Sequence, residues 1–326
     1  MESIATSVPA LILIGAVGIP AIVFLVLGLG ERLLERLPPR LRKFSRPWLW
    51  LLVPLAVIAL ILLYPLVYTI GLSFLDAGGE SFVGFDNFVW AFSGSMVSVL
   101  GNNVIWIIVF PLGTIALALI VAVVFDRVKY EKLAMTLIVL PTAISFAAGS
   151  IIWRQIYSYK SPSLEQTGLL NALWTMIPGT EPIPWLQTEY VNTFALIFVA
   201  IWSSLGVAAL ILSAAVKNVP ADMLEAARLD GAGEFRVFFA MTLPSIAPAM
   251  LVVITTEVIF ALKVFDIVYV MTNGNFNTDV IANKMYSELF AANNYGHASA
   301  IAVLLLIVAL PIIVLNIRQF RAEKEH

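Results

Sequence analysis

Apolar residues along this chain come in long uninterrupted runs rather than in the stripes of a soluble helix or the alternation of a half-buried strand. Seven runs stand out, at roughly 8–29, 48–75, 103–125, 133–153, 192–215, 246–271 and 297–317. About 20 apolar residues in a helix match the ~30 Å hydrocarbon thickness of a bilayer. Backbone groups in lipid must be satisfied within their own segment, so each run predicts a helix. The first run has no Lys or Arg ahead of it and is too long for the apolar core of a signal peptide, so it reads as a retained helix. The predicted class is an all-α integral membrane protein with seven transmembrane helices.

Composition agrees. Of 326 residues, 60% are hydrophobic and 12% charged, and the mean hydropathy is +0.95. A soluble domain of this length has more polar surface to show. The absence of cysteine excludes a disulfide framework and a thiolate metal site. A net charge of −2 gives no pull toward nucleic acid.

Charge sets the expected orientation. Arg32, Arg36, Arg40, Arg42, Lys43 and Arg46 lie in 30–47; Arg127, Lys129 and Lys132 in 126–132; Lys217, Arg228 and Arg236 in 216–245; Arg318, Arg321 and Lys324 in the tail. Fifteen of the 19 basic residues thus fall in segments that share one side of seven spans. By the positive-inside rule the N-terminus is outside and the C-terminus cytoplasmic. The external 76–102 and 155–191 loops are rich in Gly, Pro and aromatics, which suits an interfacial belt or a partner contact.

The 216–245 segment is amphipathic where a plain polar loop would suffice. Pro220 suits a first helical turn and Asp222 complements the dipole there. Leu224, Ala227 and Arg228 follow at helical spacing, and Gly231 and Gly233 can take the positive φ that stops a helix. A second short helix, Phe235 to Met241, precedes Leu243 and Pro244, which open the sixth run. Small Ala226 and Ala227 leave a face that another protein can approach closely.

These residues resemble the coupling-loop signature of ATP-binding-cassette importer permeases. Glu225-Ala226-Ala227, Gly231 six residues after Glu225, then Met241 and Leu243-Pro244 reproduce its spacing, with Met241 where Ile is usual. Further stretches resemble the carbohydrate branch, maltose-permease and alpha-glucoside-permease type: Tyr64-Pro65-Leu66-Val67-Tyr68, Phe82 to Phe88, Pro141 to Tyr157, Asp230-Gly231-Ala232, Phe265-Asp266 and Thr272-Asn273-Gly274. The resemblance covers about residues 48–320. It implies a permease core at 48–326 behind an extra N-terminal helix and basic linker at 1–47, in a prokaryotic inner membrane.

The same resemblance implies the partners: a second homologous permease forming a heterodimer, two ATP-binding subunits, and an extracytoplasmic sugar-binding protein that delivers a small-molecule sugar. ATP and Mg would be used by the ATP-binding subunits, and this chain would bind no cofactor of its own. Glu225, Ala226, Ala227, Leu229, Asp230, Gly231, Met241, Leu243 and Pro244 would form the ATPase-coupling loop. In the maltose permease the sugar lies on the helices flanking that loop. The matching face here is Ala200, Ser203, Ser204 and Val207 on the fifth run, and Glu257, Phe260, Ala261 and Val264 on the sixth. The maltose permease has asparagines at the positions of Ala200, Ala261 and Val264.

Other readings compete. Both stripes are spaced as helix packing faces also are. Lys263 and Asp266, three apart, would pair on one helix, which leaves Glu257 as the ionisable group needing a polar surrounding. A secondary transporter would need an internal repeat, and none is visible. An integral-membrane enzyme or scaffold would need clustered His, Asp or Glu, yet the histidines are only His297 and His326. His297 suits an interface position. No phosphate-binding Gly-x-x-x-x-Gly-Lys-[Ser/Thr] loop occurs, so the chain is expected to be a transport subunit without its own ATPase site, not an enzyme.

Overall fold

The computed structural model describes residues 17–125 and 128–322. Among them, regular structure is helical apart from a single antiparallel bridge between Leu75 and Phe82. The chain divides into two compact units, ending and starting at Gly71 and Leu72.

In the first unit, α1 (Ile19–Leu34) and α2 are joined by a tight turn containing Pro38 and Pro39. Helix α2 begins at Pro39 and runs through a π-helical turn at Ala59–Leu63 to Leu72. Residues 47 and 48, where the sequence suggests a boundary between appendage and core, lie inside this continuous helix. None of its residues is buried, although it is apolar on every side beyond Trp48. Such a helix suits lipid or protein around it and not water. Much of the first apolar run, 8–16, lies outside the described residues.

In the second unit the helices are α3 (Asp86–Trp90), α4 (Met96–Phe125), α5 (Glu131–Val139), α6 (Phe146–Ile156), α7 (Leu169–Trp174) and α8 (Val191–Lys217). They are followed by α9 (Ala221–Leu229), α10 (Glu234–Val237), α11 (Ala247–Leu262), α12 (Asp266–Met271), α13 (Ile281–Phe290) and α14 (Tyr295–Ala322). Four helices are long and apolar enough to cross a membrane by themselves: Pro39–Leu72, Met96–Phe125, Val191–Lys217 and Tyr295–Val314. Two more candidates are bent pairs, 131–143 with 146–156 at 101° and 234–245 with 247–262 at 69°. The fold is that of an all-α membrane protein with four to six candidate spans among the described residues. The fourth and sixth runs, expected as straight helices, are broken. Pro141 and the extended Ile144 and Ser145 interrupt the fourth, and the Ser145 hydroxyl caps α6 by accepting from the Ala148 amide at 3.2 Å.

The core is built on α4 and α8, which run parallel. Trp106 and Phe110 pack with Leu196, Val199 and Ala200, and further along the same pair Ile115, Ala118 and Ala122 pack with Ala208, Ala209 and Leu212. Small residues let these backbones approach closely, as membrane helices favour. Gly206 is the tightest case. A Cβ there would sit 2.7 Å from Val139 Cα and 2.8 Å from the Ile138 carbonyl oxygen. Backbone cannot step aside as a side-chain tip can, so Gly206→Val is expected to cost about 1–3 kcal/mol. Thermal unfolding of the detergent-purified chain, followed by gel filtration, checks this; an unchanged midpoint would contradict the close approach of α5 and α8.

Candidate functional site

The 216–245 segment folds as a helix, a stop and a second helical piece. Helix α9 ends in a Schellman turn. The Ala232 amide donates to the Ala227 carbonyl and the Gly231 amide to the Arg228 carbonyl, both at 3.0 Å, with Gly231 at φ +84°. Gly233 is different from the expectation: it is extended, at φ −70° and ψ 159°, and serves as the residue before α10. Arg228 and Glu234 then close the turn with an ion pair at 2.9 Å. The hydrogen bond that Arg228 donates to the Glu234 carboxylate holds its guanidinium above its ordinary pKa. Both side chains are well exposed, so solvent screens the pair and its role is geometric. The second helix, expected over Phe235 to Met241, is one α-turn that widens into a π-helical turn at Phe238–Thr242, then Leu243–Ser245.

Exposure differs from residue to residue along this segment. Glu225, Ala226, Asp230 and Pro244 are exposed, and Leu229 and Phe235 are 89% and 84% exposed. Ala227 faces inward, while Met241 and Leu243 are half-buried. Leu229 and Phe235 thus stand open on the segment that also exposes Glu225 and Asp230.

The flanking helices differ in how they hold the predicted stripes. On α8, Ala200 and Ser203 are buried, Ser204 is half-buried and Val207 is exposed. On α11, Glu257 and Ala261 are buried, and Phe260 packs between Phe110 and Phe146 with ring centroids 5.3 Å and 4.5 Å away. Val264 lies past the end of the helix, in the break between α11 and α12. Ala200, Ala261 and Val264 share one hydrophobic cluster with Trp106, so within this chain they are packing residues. Glu257 has no ion-pair partner among the described residues.

The break corrects one expectation. Lys263 ends α11 and Asp266 begins α12, so the two do not share a helix and form no ion pair among the described residues. Breaking the helix frees the carbonyls of its last turn. Asn103 of α4 answers them: its amide donates to the Ala261 and Leu262 carbonyls at 3.4 Å and 3.3 Å, and its oxygen accepts from the Ile281 amide at 2.7 Å. Neighbouring Asn102 donates to the carbonyls of Asn277 and Asp279, and Asn192 to that of Phe276. These buried asparagines pin the 272–281 loop, whose Asn273, Gly274, Phe276 and Asn277 all have positive φ. Sequence reading passed over them; adjacent asparagines opening an apolar run were the available signal. His297, expected at an interface, stacks on Trp90 at 3.6 Å and lies 3.3 Å from a Glu288 carboxylate oxygen.

A helical unit bent out of a membrane bundle, with an exposed face, is the geometry against which known proteins can be compared. Residues 114–323 match the family of binding-protein-dependent transport system inner membrane components. The chain belongs to that family. The osmoprotective compounds uptake permease protein GgtC of Synechocystis is 46% identical over 81% of this chain and 95% of its own length. The alpha-glucoside transport system permease protein AglF of Rhizobium meliloti is 40% identical over 87% and 85%. Among solved structures, a chain of a bacterial ABC transporter that imports the acidic polysaccharide alginate superimposes with a TM-score of 0.71 at 25% identity, over 86% of this chain and 99% of that one. These family members are permease subunits, components of a transport system rather than enzymes.

Proposed function

We propose that this chain is one of two different permease subunits lining the translocation path of an ATP-driven sugar importer, and that 216–245 is where the ATP-binding subunits grip it. The exposed face of α9 carries this reading. Glu225 is free to meet a basic group, Ala226 allows close approach, and Leu229 supplies apolar area to a partner groove. The family supports a binding-protein-dependent system, and the name of AglF supports an alpha-glucoside or related oligosaccharide as the solute. Residues 48–326 form the permease core. ATP and Mg act in the partner subunits, and an extracytoplasmic binding protein delivers the sugar. Closure of the ATP-binding subunits moves the loop, and the cavity alternates between its two openings.

The experiment is uptake of radiolabelled alpha-glucosides by proteoliposomes holding the whole purified complex. ATP inside and binding protein outside should both be required. Uptake driven by a sodium or proton gradient without ATP would instead identify a secondary transporter.

The topology proposed with this function has seven spans, the N-terminus outside and the C-terminus cytoplasmic. Thr180, in the 155–191 loop, and Gly233, beside α9, then lie on opposite sides. Because the chain has no cysteine, Thr180→Cys and Gly233→Cys are clean probes. An impermeant maleimide should label the first in intact cells and the second only after lysis. The reverse pattern would invert the orientation.

A further inference from the structure

We propose that the turn between α1 and α2 holds a phosphate group, presented by an anionic phospholipid of the surrounding bilayer. A groove of about 740 Å³ opens at this turn, and Arg42, Lys43, Arg46 and Trp50 line it together with Glu35. Residues 30–47 contain six basic side chains and two acidic ones, Glu31 and Glu35. Glu31 is already engaged, accepting from Arg46 Nε and from Trp50 Nε1, each at 2.9 Å. Those hydrogen bonds, Arg46 first, hold its carboxyl below the ordinary range. Arg42 and Lys43 have no ion-pair partner among the described residues.

Among the described residues the groove therefore sets three cations, Arg42, Lys43 and Arg46, against the two carboxylates Glu31 and Glu35. Its position in the fold adds to that excess. These cations occupy the first turns of α2, where no acidic residue lies in the first turn and Pro38 offers no capping side chain. The positive end of a helix disfavours cations and favours an anion. A phosphate in the groove would relieve the repulsion among Arg42, Lys43 and Arg46.

Depth selects the lipid as its source. The long apolar stretch of α2 begins at Trp48, and Trp48 and Trp50 are 58% and 54% exposed, as befits rings at headgroup level. Leu37 and Pro47 give the groove apolar walls, which a soluble anion would leave wet and a glycerol-linked acyl chain would cover. The inference needs only that α1 and α2 meet a bilayer, and it stands whether or not the transported solute is a sugar.

Diffuse attraction between basic residues and an anionic leaflet would draw on all cations alike. A built groove would not, and that difference is the test. The purified full-length chain in its complex, in mild detergent, is titrated with phosphatidylglycerol or phosphatidylcholine, and retained lipid is counted by native mass spectrometry. Each basic residue near an anionic surface contributes roughly fivefold. Arg42→Gln with Lys43→Gln is expected to lower phosphatidylglycerol retention by roughly twentyfold. Lys129→Gln with Lys132→Gln, which removes the same charge from residues that do not line the groove, should leave it unchanged within error. Lys43→Gln alone gives an intermediate loss, and remains informative should the double variant fail to fold. Equal loss in both double variants would reduce the effect to diffuse charge and overturn the site. So would no loss in either. Retention that shows no preference over phosphatidylcholine, with inorganic phosphate protecting the groove lysine from acylation in wild type, would assign the groove to a soluble anion and overturn the lipid source.

Discussion

Gly231→Asp is expected to abolish sugar uptake while leaving the permease folded. The two consequences separate because of where Gly231 sits. At φ +84° it takes a backbone conformation that side chains disfavour, so any replacement strains the Schellman turn. Yet a Cβ built there meets nothing within 4 Å, so no packing inside the chain is disturbed. The added carboxylate instead projects from the exposed end of α9, beside Leu229, into space a docked ATP-binding subunit would fill. Leaving a charge unpaired at such an interface costs a few kcal/mol, or roughly a hundredfold in docking. Transport in proteoliposomes should fall at least that far, with ATPase activity either lost with the subunit or no longer stimulated by binding protein and sugar. Gly231→Ala serves as the graded control, since it strains the turn without adding charge. Uptake at the wild-type rate in the aspartate variant would remove the loop from the coupling path.

Glu257→Ala is expected to lower uptake by about tenfold or more with the complex still assembled. An ionisable group in mid-membrane without a counter-charge is costly unless it meets a polar cavity. Glu257 is 8% exposed and has no ion-pair partner among the described residues. Were its role merely to pack, alanine would leave a cavity and Gln would restore function by shape. Were it to meet sugar hydroxyls, Gln would keep some hydrogen bonding and shift KM more than the maximal rate. Uptake unchanged in rate and affinity would take this stripe out of the substrate path. Ala200, Ala261 and Val264 carry less of this expectation, because they sit in the hydrophobic cluster and are the positions where the maltose permease has asparagines.

How much of this was legible beforehand follows from what each signal measures. Run length reports apolarity, and it located α2, α4, α8 and α14 because those helices continue unbroken through their apolar runs. It overlooked the breaks at Ile144–Ser145 and Lys263–Phe265, because apolar residues continue through both. Both breaks lie inside runs that are apolar overall, with Pro141 the visible hint at the first and the charged Lys263 and Asp266 at the second. The loop at 216–245 was readable in part because its chemistry is local, with a helix start at Pro220 and a stop at Gly231, but of the two small residues expected on one open face only Ala226 is exposed and Ala227 is buried. Gly233 was misassigned a positive φ because two nearby glycines give the same signal and only one can occupy the position after the cap. The adjacent Asn102 and Asn103 were visible as polar residues opening an apolar run, but their partners, like that of Asn192, were not, since the bonds reach backbone groups far away in sequence.

The bend at Ile246 gives α11 the mechanics of a crank. Its far end is tethered by Asn103 through the Ala261 and Leu262 carbonyls, and its near end turns through 69° into the segment that leads from α9. Sixteen residues at about 1.5 Å each make an arm of roughly 24 Å. With the tether as fulcrum, a sideways push of about 2 Å at the bend swings this arm by only about 5°. That is a small tilt, but it sweeps the middle of the arm, where Glu257 projects, by on the order of half an ångström to an ångström. A carboxylate hydrogen bond does not survive much more than that. A small push at the loop end would therefore reach Glu257 as a change of hydrogen-bond alignment.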